Sequence, residues 1–193
     1  MEIIIASKNK GKIKEFKEML EPKGYLVKSL LDFDEEVEIE ETGKTFRENA
    51  YIKAKSIADK YHVMAIADDS GLEIDYLDGK PGVYSSRWLG EDTPYTIKNQ
   101  EVLRLMDGIN NRTCRYVCCI AIVQENKEAI IFEENVEGEI AMEANGNHGF
   151  GYDPIFYYPP LGKTMAEMKD EEKNAISHRG KAVRKLQEWL EHE

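Results

Sequence analysis

The feature that most constrains this chain is the regular change of element type along it. Short apolar, β-favouring runs give way to polar loops and then to stretches with the apolar spacing of helices, with no internal repeat, low-complexity tract or Pro/Gly/Ser linker. That alternation predicts an α/β fold. Ile3 to Ala6 reads as a buried strand, Ser7 to Lys12 as a loop, and Ile13 to Leu20 as a helix closed near Pro22 and Gly24. Thr45 and Glu48 form a capping box that opens a helix with Phe46, Ala50, Ile57 and Tyr61 on one face. A second apolar strand, Val63 to Ala67, is expected to end at Asp68-Asp69-Ser70-Gly71, and Leu72 to Leu77 to pair with it or continue it, ahead of the turn Asp78 to Gly82. Thr93 with Pro94 at the first helical position, and Gly108 after the apolar periodicity, bound another helix. Arg115 to Val123 and Ala129 to Val136 are expected to form a hairpin. Gly146 to Gly151 reads as a flexible loop, and helical segments around Ala166 to Ala175 and Ser177 to Leu190, the latter capped by Ser177, close the chain.

Composition then limits what such a fold does. The chain has 193 residues, 41% of them hydrophobic and 33% charged, which suits one folding unit with a substantial core. No apolar run approaches the ~20 residues needed to cross a bilayer, and the first residues lack the plan of a signal peptide, so a cytoplasmic protein is expected. Cys114, Cys118 and Cys119 share one strand-like stretch. Adjacent strand residues point to opposite faces, so these three are expected to be buried thiols rather than a disulfide framework or a metal site. A net charge of −11 argues against broad nucleic-acid binding, which needs clustered Lys and Arg on phosphates. Any phosphate site must be local, and Lys8, Lys10, Lys12 and Lys14 mark one candidate.

Several short motifs carry possible chemistry. Ser7-Lys8-Asn9-Lys10-Gly11-Lys12 lies between a strand and a helix, where backbone N–H groups and the helix dipole favour an anion. It is no P-loop, because Ala6 stands where that pattern has Gly and Ile13 where it has a metal-binding hydroxyl. Asp68 and Asp69, with Glu40-Glu41 ahead of the capped helix, offer carboxylates to a hard cation. In the absence of a His/Cys cluster, Mg2+ or Mn2+ is implied rather than zinc. Lys53 and Asn49 share a helical edge at i, i+4. Phe150-Gly151-Tyr152-Asp153 combines stacking rings with a carboxylate, and Lys173, His178 and Arg179 supply donors suited to a carbonyl on a base. Each has a plainer reading: a solvated lysine-rich loop, a turn, a snorkelling lysine, core aromatics, a surface histidine.

Taken together, Ser7-x-Asn9-x-x-Lys12, Glu41-Thr42-Gly43, Glu48-Asn49 with Lys53, Ala67 to Gly71, Pro81-Gly82, Gly149 to Pro154, Glu172-Lys173 and Ser177 to Gly180 make the chain resemble the inosine triphosphate pyrophosphatase family. The resemblance runs over residues 1–193 as a single domain. It implies a mixed, strongly twisted central sheet with flanking helices, two lobes with a cleft between them, and a homodimer. It also implies magnesium-dependent hydrolysis, with manganese as a substitute, of ITP, dITP, XTP and dXTP to the monophosphate and pyrophosphate. By the same resemblance Ser7, Lys8, Asn9, Lys10, Gly11, Lys12 and Lys53 meet the triphosphate. Glu41 with Asp68 or Asp69 ligates the metal, Asp69 is the general base, and Lys12 and Lys53 assist. Phe150, Gly151, Tyr152, Asp153, Lys173, His178 and Arg179 hold the base, with Ser70 nearby. Many members have Thr-Gly-Asn where this chain has Ser7-Lys8-Asn9, a change that matters if the middle position needs a positive φ. The related Maf-like pyrophosphatases lack counterparts of the Phe150 to Asp153 and His178-Arg179 motifs. A non-catalytic nucleotide binder has no need of carboxylates beside a lysine-rich loop.

Overall fold

The computed structural model describes residues 2–34 and 37–192. Its elements alternate as the sequence predicts: strands β1 (Glu2–Ile5), β2 (Leu26–Ser29), β3 (Ala65–Ile74), β4 (Lys80–Pro81), β5 (Thr113–Val123), β6 (Ile130–Ile140), β7 (Phe156–Tyr158) and β8 (Lys163–Thr164), with helices α1 (Lys10–Leu20), α2 (Phe46–Tyr61), α3 (Tyr95–Leu105), α4 (Asp170–Ile176) and α5 (His178–Leu190). The chain is mixed α/β, with parallel and antiparallel pairs.

The chain divides into two compact units. The first comprises residues 1–69, 118–134 and 179–193, and the second residues 70–117 and 135–178. In the first unit β1 pairs in parallel with both β2 and β3, Ile3 facing Val27 and Ile5 facing Ile66. These strands bury Ile3, Ile5, Val27 and Ile66 against Phe16 and Leu20 of α1 and Ala182, Val183 and Leu186 of α5. Side chains spaced i, i+4 on a helix form one stripe, which is why Phe16 and Leu20 enter the core together. In the second unit β4 runs antiparallel to the end of β3, and β6, β7 and β8 form antiparallel pairs. Its core gathers Leu72, Ile74, Val102, Met106, Tyr116, Ile140, Tyr152, Phe156 and Met165.

Several boundaries differ from expectation for local reasons. Helix α1 starts at Lys10 rather than Ile13, because the Asn9 side chain accepts the Lys12 N–H at 3.1 Å and caps it there. Strand β3 does not stop at Asp68 but runs on to Ile74, so Asp68 and Asp69 lie inside a strand. Pro94 stands at the cap of α3, not within it, and the Thr93 hydroxyl donates to the Leu89 carbonyl at 2.6 Å instead of capping. The predicted helix around Ala166 to Ala175 is broken in two. A Thr164–Glu167 capping box closes a single turn over Met165–Glu167, and Met168 and Lys169 are extended before α4 begins.

Candidate active site

The first unit assembles a chain of buried opposite charges around adjacent residues of β3. Successive strand residues face opposite sides, so Asp68 and Asp69 meet different partners. The Asp68 carboxylate, 1% exposed, is paired with the Lys12 ammonium and accepts from Arg179 Nε at 3.1 Å and from the Cys118 thiol at 2.9 Å. Arg179 in turn donates to Glu15 of α1. Burial alone would push the Asp68 carboxyl up, yet Arg179 and Lys12 hold it well below the usual carboxylate range. Cys118 has its thiol raised by burial and by Asp68, so it stays a neutral donor.

On the other side, Lys53 of α2 donates to Asp69 Oδ1 at 3.0 Å and pairs with Glu41 at 2.9 Å. The side chain emerges on the edge shared with Asn49, and both residues are buried. Asn49 fixes the approach of the Glu41 segment by accepting the Gly43 N–H at 2.8 Å. A Cβ at Gly43 would sit 2.5 Å from that same oxygen, so only glycine passes here. Burial pushes the Asp69 carboxyl above its ordinary value, helped by Glu41 and opposed by Lys53 and Lys12. Burial disfavours the Lys53 ammonium, but Asp69, Glu41 and Asp68 around it outweigh that and keep it charged. The second oxygen of Asp69 is buried with no hydrogen-bond partner among the described residues.

That orphaned oxygen fits a hard cation. Glu41 and Asp69 are the carboxylates whose only ammonium between them is Lys53, whereas Asp68 is committed to Lys12 and Arg179. Accordingly, no group of three or more His, Cys, Asp or Glu side chains among the described residues is placed to hold one ion. Two protein carboxylates are what magnesium commonly takes, its remaining positions going to water and phosphate oxygens.

The opening loop forms a tight anchor ahead of α1. The Ser7 hydroxyl accepts the Asn9 N–H at 3.1 Å, Lys10 and Gly11 lie in the first turn, and Lys8 is exposed. Lys8 is not among the described residues with positive φ, so the replacement of a small residue there carries no backbone strain.

The second unit gathers the aromatic and carboxylate residues. Asp153 lies under the Gly146 to Tyr152 loop. It accepts from Lys173 at 2.6 Å, from the Phe150 N–H at 3.0 Å and from the Tyr116 hydroxyl at 3.1 Å. Gly149 permits this: its φ is +69°, and a Cβ there would come within 2.1 Å of the Asp153 carboxylate. The Lys173 ammonium also lies 4.9 Å from the Phe150 ring centroid. Tyr152 donates to the Ser85 carbonyl at 2.7 Å, and Asn99 donates to the Gly151 carbonyl at 3.1 Å, which fixes the loop from α3. His178, at the start of α5, stacks on Tyr116 with ring centroids 4.7 Å apart.

Of the residues singled out from sequence, Lys12, Lys53, Glu41, Asp68 and Asp69 fall in one network, and Phe150, Gly151, Tyr152, Asp153, Lys173 and His178 in another. Ser70 sits next to Asp69 on β3. Arg179, grouped with the base-holding residues by sequence, is placed with the acids of the first network, because a guanidinium 2% exposed needs carboxylate partners. Glu15, Cys118 and Tyr116 were not legible as site residues: each lies in an apolar stretch whose pattern reads as core.

Fold and side chains together define a mixed α/β protein with a buried acid–base network and a separate cage of aromatic rings around a carboxylate. Residues 3–189 match the model of the Ham1 family, and the chain belongs to that family. It is 50% identical over 192 residues to the dITP/XTP pyrophosphatase of Halalkalibacterium halodurans, covering 98% of this chain and 99% of that one. It is 51% identical over 192 residues to the dITP/XTP pyrophosphatase of Bacillus subtilis, covering 98% and 97%. The solved structure of a HAM1 protein from Coxiella burnetii superposes with a TM-score of 0.90 at 41% identity, covering all of both chains.

Proposed function

We propose that this protein hydrolyses non-canonical purine nucleoside triphosphates, dITP and XTP foremost, to the monophosphate and pyrophosphate, and so keeps deaminated purines out of nucleic acid. The observation that carries the chemistry is Asp69: a buried carboxylate with a raised pKa, one oxygen fixed by Lys53 and the other without a partner among the described residues. A base of raised pKa, held in place by a cation, suits abstraction of a proton from an attacking water. Lys12 and Lys53 supply positive charge for the phosphate oxygens, and Ser7 and Asn9 set the anchor of α1 beside them. Asp68 keeps Lys12 in place through its carboxylate, and Arg179 balances that carboxylate from the far side.

Glu41 and Asp69 would hold magnesium, or manganese in its stead, and the ion would neutralise phosphate charge and lower the pKa of a bound water. Phe150 and Tyr152 offer ring faces to a base, while Asp153, Lys173 and His178 set its polar contacts. A 6-oxo purine presents an acceptor where adenine presents a donor. A buried donor facing that position is left unpaired with adenine, at a cost of ~1–3 kcal/mol. The family resemblance adds a homodimer working in the cytoplasm. No described helix is long and apolar enough to cross a membrane.

The test is kcat/KM for dITP, XTP, dATP and dGTP, with magnesium and again after chelation. The expected result is preference for dITP and XTP and loss of turnover on chelation. Equal turnover of dATP would remove the assigned specificity, and full activity in chelator would remove the metal.

A further inference from the structure

Resting on that reading, we infer that Tyr116 is a positioning residue that sets base selectivity by holding Asp153 and His178 in register with one another. Tyr116 is 6% exposed and belongs to β5, in an apolar run with no motif of its own. Its ring is the middle of three. Phe156 stacks on one face with centroids 4.3 Å apart and planes 10° apart, and His178 on the other at 4.7 Å and 20°. Phe156 belongs to the apolar core, so the stack ties the His178 imidazole plane to rigid packing rather than to a loop. At its edge the same ring donates its hydroxyl to Asp153 Oδ1 at 3.1 Å.

Asp153 therefore has both oxygens engaged from different directions: Tyr116 on Oδ1, and Lys173 and the Phe150 N–H on Oδ2. A carboxylate held this way keeps its plane, and a ring held by stacking keeps its edge pointed one way. One side chain thus fixes the relative placement of two polar groups that arrive on separate segments, one after the Gly-rich loop and one at the start of α5. Burial, with Asp153 nearby, pushes the phenol well above its ordinary pKa, so it remains a donor at any pH the protein meets. Phenylalanine at this position would retain the stack and delete only the bond to Asp153.

The experiment compares wild type with Tyr116→Phe in the full chain. It measures KM and kcat for dITP and dATP, calorimetric affinity for dIMP and dAMP, and a thermal melt. The expected outcome is a KM for dITP raised about tenfold, the effect of one lost hydrogen bond to a charged group. The dIMP over dAMP preference falls with it, while kcat and the melt stay close to wild type. Unchanged KM and unchanged preference would overturn the inference. So would equal losses of kcat, affinity for both monophosphates and melting temperature, the pattern of a purely structural side chain. A variant that melts early is assayed below its transition, where the same preference is read. The monophosphate titration separates two failures. A wild type that prefers dIMP yet does not hydrolyse dITP would refute the hydrolase reading, with Tyr116 still tested on dIMP affinity. A wild type without preference between the two monophosphates would overturn the role of Tyr116 directly.

Discussion

Asp68→Asn tests the buried charge network most sharply. The substitution preserves shape and removes one negative charge from a side chain with 0% exposure that faces both Lys12 and Arg179. Arg179 retains Glu15, but Lys12 is left without its carboxylate partner. Breaking a buried pair by removing one partner costs about 3–5 kcal/mol. For a chain of this length that corresponds to a fall in Tm of roughly 6–20 °C. Differential scanning calorimetry at pH 7 measures it. The pH dependence has a definite sign. Burial raises the Asp68 carboxyl, but Arg179 and Lys12 more than offset that and leave it well below its ordinary 3.8. A depressed folded pKa gives stability that is present in full above the unfolded value and lost as pH falls toward the folded one. The gap between wild type and variant should therefore be constant from neutral pH down to about pH 5 and narrow in stronger acid. A deficit under about 1 kcal/mol at pH 7, or one that grows in acid, would refute the picture of a network stabilised by that charge.

Other substitutions probe the remaining assignments. Asp69→Asn should nearly abolish turnover of dITP while nucleotide binding stays measurable in a titration, and near-normal turnover would remove Asp69 as the base. Lys12→Ala should weaken affinity for a non-hydrolysable triphosphate by roughly tenfold or more, as expected for loss of a charge-assisted hydrogen bond. Unchanged calorimetric affinity would take Lys12 out of the phosphate site. Gly149→Ala forces a Cβ to within 2.1 Å of Asp153 at φ +69°, so it should lower stability by about 1–3 kcal/mol and weaken dIMP binding. A wild-type melt and wild-type dIMP affinity would show that the loop relaxes freely.

How much of this was legible in the sequence depended on whether a residue belonged to a pattern. The alternation of elements, the Thr45–Glu48 capping box and the buried thiols follow from period and capping chemistry alone, and the structure has all of them. Asp68-Asp69-Ser70-Gly71 reads as a turn because Asp, Ser and Gly favour turns, yet β3 carries it as strand. There tertiary ion pairs with Lys12, Lys53 and Arg179 outweigh local propensity. The short strands β7 and β8 escaped notice because three and two residues are too few to show alternation. Tyr116 and Glu15 were hidden for another reason: their importance lies in partners far along the chain, Asp153 and Arg179, which no local period reveals. Arg179 shows the converse. Its neighbour His178 sits in the aromatic cage, but consecutive residues entering a helix point in different directions, and Arg179 turns to Asp68 and Glu15.

The most direct test of the central claim is to identify both products when the purified protein meets dITP and magnesium, by anion-exchange chromatography with a separate assay for orthophosphate. The account predicts dIMP and pyrophosphate in equal amounts, with no orthophosphate. Release of orthophosphate with dIDP would contradict it, because the cut would then fall at the other anhydride bond.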